Sequence, residues 1–189
     1  MPEKPLDRRA KMTRELLKQS LIELMKDRPI HEISIKKICE TADINRSTFY
    51  HHYDSQYELF NEILNDVSHE IAQIVAKHQT SIVWLEEILC EALTYVDVNK
   101  DTILVILGDN SGFSVGESFA SLIDRFIDTS SEQSNEALKY CIQFAAAGMT
   151  TVVWNWLNAQ NRMSAQELAH MMTVLLKPSI GRFTLFPLQ

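Results

Sequence analysis

Apolar residues recur along this 189-residue chain at spacings of three and four, and no stretch alternates with the period of two that a strand requires. The first such stripe, Leu16, Leu17, Leu21, Leu24 and Met25, predicts a helix from about Arg8 to Lys26. Pro29 closes it, because the residue before a proline is driven out of the helical region. Ser34 can cap a short helix from Ile35 to about Ala42, with Ile35, Ile38, Cys39 and Ala42 facing inward. At Asp43 the chain must turn sharply, and aspartate accepts the left-handed conformation more readily than most residues bearing a Cβ. Asn45 is then an N-cap for a third helix, Arg46 to about Tyr53. Ser55-Gln56-Tyr57-Glu58 forms a capping box. It opens a fourth helix whose stripe (Phe60, Ile63, Leu64, Val67, Ile71, Ile74) is long enough to join a head to a body.

Beyond it the pattern predicts helices at about 82–98, 100–107, 119–128 and 135–160, and a last one opened by the capping box Ser164-Ala165-Gln166-Glu167 and stopped by Pro178. A glycine-containing loop, 108–118, and a polar linker, 129–134, separate them. The loop lacks the Gly-Lys-Ser/Thr ending of a phosphate cradle and no strand precedes it. The reading is an all-α chain: a three-helix head with a helix-turn-helix, residues 1–54, and a helical body, residues 55–189.

Charge adds a direction to this picture. The net charge is −7, yet residues 1–53 hold 11 Lys/Arg against 8 Asp/Glu, while the remainder holds 7 against 17. A basic head on an acidic body suits a protein that meets phosphates at one end. Cys39, Cys90 and Cys141 are widely spaced and lie in apolar helical patterns, so they read as core thiols. No apolar run approaches the roughly 20 residues needed to span a bilayer, and Met1 to Lys11 lacks the apolar stretch of a signal peptide. The expected location is the cytoplasm, with no membrane partner.

Two short helices joined by a tight break beside a longer one fit a helix-turn-helix. In the second, Phe49 and Tyr53 are four residues apart and share the face that packs inward. The other face displays Arg46, Ser47, Thr48, Tyr50, His51 and His52, a guanidinium with short donors and acceptors suited to a major groove about 12 Å wide. Arg46, Ser47 and Thr48 are the candidates for base edges, and Asn45 at the helix start is a further DNA-binding candidate. Tyr50, His51 and His52 stand later and suit phosphates. Ser34 and Lys36 add a phosphate clamp at the start of the preceding helix. His51 and His52 do not read as a metal site, since adjacent histidines on a helix diverge and no further ligand is suitably spaced. No cofactor fingerprint, paired acids or nucleophile–base pair suggests an enzyme.

These residues carry a family resemblance. Ile35-x-x-Ile38-Cys39-x-x-Ala42, then Ile44 through Tyr53, then Tyr57-Glu58-Leu59-Phe60 resemble the N-terminal domain of TetR-family regulators across about a quarter of the chain, from Thr13-Arg14 to Phe60. The resemblance implies a homodimer that inserts one recognition helix per subunit into double-stranded DNA, with a C-terminal domain that dimerises and often binds a small-molecule effector. Two positions depart from the family pattern: Asp43 replaces the usual turn glycine, and Gln56 replaces a lysine at the start of the fourth helix. Two fewer phosphate contacts per dimer would lower the salt dependence of binding by about 2 in slope. The glycine loop and the run from Gly148 to Trp156-Leu157 resemble a subgroup that includes an activator of dihydroxyacetone kinase genes. Repression is therefore the first expectation, with activation, or co-regulation through protein contacts, as the alternative.

The helix from about 135 is apolar nearly all round, and Ala145, Ala146, Ala147 and Gly148 allow close approach of a second helix. With the last helix it predicts a four-helix homodimer interface over about 135–177, set against burial of both helices inside a monomer. The aromatics Trp84, Phe113, Phe119, Phe126, Phe144 and Trp154 are the candidate lining of an effector pocket, set against plain core positions.

Overall fold

A computed structural model of the chain describes residues 5–78, 85–108, 110 and 136–185. Among the described residues there are eight α-helices and no strand: α1 (Pro5–Met25), α2 (Ile35–Ala42), α3 (Arg46–His52), α4 (Gln56–Lys77), α5 (Leu85–Val98), α6 (Lys100–Leu107), α7 (Glu136–Asn158) and α8 (Ala165–Leu185). The expected loop after Gly108, the helix at 119–128 and the linker at 129–134 lie outside the described residues, apart from Asn110.

The head forms because its apolar positions converge. Leu17, Leu21 and Met25 of α1, Ile38 of α2, Phe49 of α3 and Leu59 of α4 are all fully buried. Leu16 departs from expectation. It is 39% exposed, while Ile22 is buried, because at 100° per residue Leu16 falls to one side of the stripe running through Leu17 and Leu21. α1 ends at Met25, and Pro29 opens a single 3-10 turn, Ile30–Glu32, that seats Ile30 and Ile33 in the core.

Local chemistry fixes the helix-turn-helix. The Ser34 hydroxyl accepts from Lys37 N–H at 3.2 Å, capping α2. At the other end Asp43 adopts φ 54°, ψ 46°, and Ile44 N–H donates to Cys39 O at 3.0 Å, closing the helix with the bond pattern usual after a left-handed residue. Asp43 is the sole non-glycine residue with positive φ among the described residues. Glycine carries no Cβ penalty there, so Asp43→Gly is expected to raise stability by about 0.5–1 kcal/mol. Thermal denaturation followed by circular dichroism checks this, and a lowered midpoint would contradict it.

Asn45 occupies the N-cap position of α3, but its side chain makes no capping hydrogen bond. Its amide is not committed to the helix end as a cap would require. The box opening α4 has one displaced limb: Ser55 Oγ accepts from Glu58 N–H at 3.3 Å, while Glu58 Oε2 accepts at 2.7 Å from Asp54 N–H rather than from Ser55. The box at Ser164 is complete, with Ser164 N–H donating to Glu167 at 2.7 Å and Glu167 N–H donating to Ser164 Oγ at 3.2 Å.

In the body, α5 packs most extensively against α8, and α7 against α8 and α6. Trp156 Nε1 donates to Met163 O at 2.7 Å, holding the turn between α7 and α8, and the Arg162 guanidinium lies 5.0 Å from the Trp156 ring centre. The expected stop at Pro178 is overturned, since α8 continues to Leu185. A proline inside a helix removes one backbone hydrogen bond and crowds the carbonyl four residues earlier, and here the backbone stays helical through it. No helix among the described residues is long and apolar enough to cross a membrane.

Candidate nucleic-acid interface

α3 is held from beneath. Phe49 is fully buried and Tyr53 is 3% exposed, their ring centres 5.7 Å apart. Tyr50 meets the Phe49 edge at 5.7 Å but leaves 56% of its own surface in solvent. The outer face follows from that anchoring. Arg46, Ser47, Tyr50 and His51 are exposed, as are Asn45 before them and Ser34 and Lys36 at the start of α2. Thr48 and His52 are half-buried flanks of the same face. All nine candidate residues are thus at least partly open to solvent, on α3 and at the start of α2. Lys36 shares its charge with Glu40 at 3.6 Å one turn on, an exposed pair that contributes little and can give way to a phosphate.

The two histidines differ in environment. Burial, reinforced by the neighbouring His51 and Arg14 charges and opposed by Glu62, pushes His52 below the ordinary histidine range. His52 is therefore neutral at pH 7, able to donate from one ring nitrogen and accept at the other. Among the described residues no group of three His, Cys, Asp or Glu is placed to hold a metal ion. Cys39 is buried and Cys90 half-buried, and both are free thiols. Burial pushes the Cys39 thiol up, against the lowering influence of Arg46.

A polar network below α3 had no counterpart in the sequence reading. The Tyr53 hydroxyl is sealed from solvent and lacks a partner in full hydrogen-bond geometry, yet it stands against Glu62 of α4. Burial first, then that carboxylate, pushes the Tyr53 phenol well above its usual range. Burial would raise Glu62, but Lys18, Tyr53 and Arg14 hold it below the usual carboxylate range. The one signal in the sequence is the spacing of Glu62 and Asp66, two acids a single turn apart on α4 and so on one face.

Trp84, Phe113, Phe119 and Phe126 lie outside the described residues. Phe144 is 82% exposed on α7. Trp154 lines a cleft of about 670 Å³ with Met25 and Lys26 at the end of α1, Leu104 of α6 and Asn158 of α7. That cleft sits where head meets body: Asn110 Nδ2 donates to Met25 O at 2.9 Å, and Lys26 pairs with Asp101 at 2.6 Å. Gly108 is needed in its wall, since a Cβ there would stand 2.8 Å from Leu104 O and 3.5 Å from the Trp154 ring.

Known proteins share both halves of this arrangement. Residues 20–63 match the family described as bacterial regulatory proteins, tetR family, and residues 84–178 match a transcriptional regulator C-terminal region of the same family. The chain is 29% identical over 89 residues to the HTH-type dhaKLM operon transcriptional activator DhaS of Lactococcus lactis; the matched stretch is 47% of this chain and 46% of that protein's length. Among solved structures, a TetR transcriptional regulator from Streptococcus agalactiae superposes with TM-score 0.65 at 21% identity, covering 90% of this chain and 96% of that one. NalD, the secondary repressor of the MexAB-OprM multidrug efflux pump in Pseudomonas aeruginosa, superposes with TM-score 0.64 at 14% identity, covering 89% and 95%. The helix-turn-helix built on Phe49 and Tyr53 and the helical body behind it thus fall within one lineage, and the chain belongs to the TetR family of DNA-binding transcriptional regulators.

Proposed function

We propose that the chain acts as a homodimer on a palindromic operator, each protomer laying α3 in a major groove. The division is a DNA-binding head, residues 1–54, and a body, residues 55–189, that dimerises and takes a small-molecule effector. The carrying observation is the solvent-facing surface of α3, fixed in direction by the buried Phe49 and Tyr53. Arg46, Ser47 and Thr48 read bases, helped by Asn45, whose side chain is not committed to capping. Tyr50, His51, His52, Ser34 and Lys36 hold phosphates and set register. The protein works by binding and not by turnover, in the cytoplasm where the chromosome lies.

Repression by operator occupancy is the first reading. Activation is the second, favoured by the likeness to DhaS, which is named an activator. A reporter carrying the operator upstream of a promoter separates them by the sign of its response. The effector is proposed to enter the body, where Trp154, among the described residues, lines the cleft beside α1.

Selecting duplexes from a random pool with the purified chain tests the core of the proposal. Two matching half-sites one helical turn apart, about 34–36 Å centre to centre, are expected. The Arg46→Ala/Tyr50→Ala variant should bind the selected duplex at least about 30-fold more weakly, since a bidentate Arg–base contact contributes about 1–3 kcal/mol and a dimer loses two. Unchanged affinity in that variant would refute the assignment of α3 as the reading helix.

A further inference from the structure

Lys18, on α1, is the cation at the centre of three carboxylates. Its ammonium lies 2.5 Å from Asp66 and 2.8 Å from Glu62, both on α4, and 3.2 Å from Glu15 on its own helix. Its side chain is only 11% exposed. Its α4 partners are more open, Glu62 at 29% and Asp66 at 55%, while in Lys26–Asp101 the two side chains are 36% and 62% exposed and in Lys77–Glu91 65% and 37%. Exposed pairs of that kind hold little. At Lys18 two carboxylates one turn apart on α4 grip a single point of α1, which defines both the rotation and the axial register of one helix against the other. Glu62 also neighbours the hydroxyl of Tyr53, the residue that closes α3, without a hydrogen bond of full geometry between them.

We infer that Lys18 is a positioning residue for DNA binding: it locks α4 against α1 and so fixes the direction in which α3 projects, without touching DNA. The ammonium is already shared among three acids, and the surplus negative charge around it repels phosphate. Its effect on DNA must pass through geometry. Removing the cation leaves Glu15, Glu62 and Asp66 facing one another, and removing the acids frees α4 to rotate against α1.

Charge alone and geometry alone make opposite forecasts for one variant. Glu62→Gln/Asp66→Asn removes two negative charges from the head, so a purely electrostatic account requires tighter DNA binding. The positioning role requires weaker binding, by about tenfold, because coupling within such a network is of that order. The probe is the tightest duplex recovered by wild-type selection. Lys18→Met should bind it about tenfold more weakly with an unchanged slope of log affinity against log salt. Lys18→Arg should recover most of the loss, since a guanidinium can bridge the same two acids. Circular dichroism at the assay temperature checks that each variant is folded, and the carboxamide pair, which keeps shape and packing, serves if Lys18→Met is not. Tighter binding by the carboxamide variant overturns the inference, as does a Lys18→Met slope flattened by about 0.9 per protomer, the mark of a lost phosphate contact. Recovery of no duplex by the wild type would sink the operator reading itself, and this role with it.

Discussion

Phe49→Ala is expected to destabilise the chain by about 3–5 kcal/mol, because the ring is fully buried in the core and its loss leaves a cavity. Domains hold only about 5–15 kcal/mol in reserve. The thermal midpoint should therefore fall on the order of 10 °C, and operator binding should disappear with it. Tyr50→Ala, one residue on, removes a ring that is 56% exposed. Its stability should stay within about 0.5 kcal/mol of the wild type while DNA affinity falls. Differential scanning calorimetry and a binding assay on both variants separate the side of α3 that holds the fold from the side that meets DNA. A midpoint in Phe49→Ala equal to that of the wild type would mean that α3 is not anchored as described.

Phe144→Asp combined with Leu175→Asp is expected to reduce the protein to single chains of 21.7 kDa. Phe144 is 82% exposed, Tyr140 63%, Leu175 65% and Val174 58%, along the outer faces of α7 and α8. Gly148 opens onto empty space, with nothing within 4 Å of the position a Cβ would take. Side chains this apolar are left uncovered by their own chain, and a second copy related by a two-fold axis would bury them. An uncompensated charge in such an interface costs about 3–5 kcal/mol, and symmetry repeats each substitution. The total, above about 10 kcal/mol, carries a nanomolar dimer beyond millimolar. Both positions face solvent within the chain, so circular dichroism should be unchanged. Sedimentation equilibrium settles the outcome, and a double variant that keeps twice the chain mass at micromolar concentration would place the dimer contact elsewhere.

The head was the most legible part of the sequence because its structure is decided locally. Ser34, Asp43 and Ser55 each act within four residues of their own position, and the Phe49–Tyr53 spacing states which face of α3 is inward. Where the sequence pattern misled, the deciding interaction came from elsewhere. Leu16 belongs to the same apolar string as Leu17 but points past the core. Pro178 is a sound local stop signal, yet α8 runs through it. Lys18 is the plainest case, since it reads as one more surface lysine on α1 until folding brings it to Glu62 and Asp66, 44 and 48 residues away along the chain. Spacing along one helix can show that two acids share a face, but not which cation meets them.

The hydrogen bond from Asn110 to Met25 O gives the body a second hold on the head. Joined through α4 alone, the reading helix could swing about a single axis like a door. With α1 also fastened beside the end of α6, head and body are tied at two places, which restrains that swing.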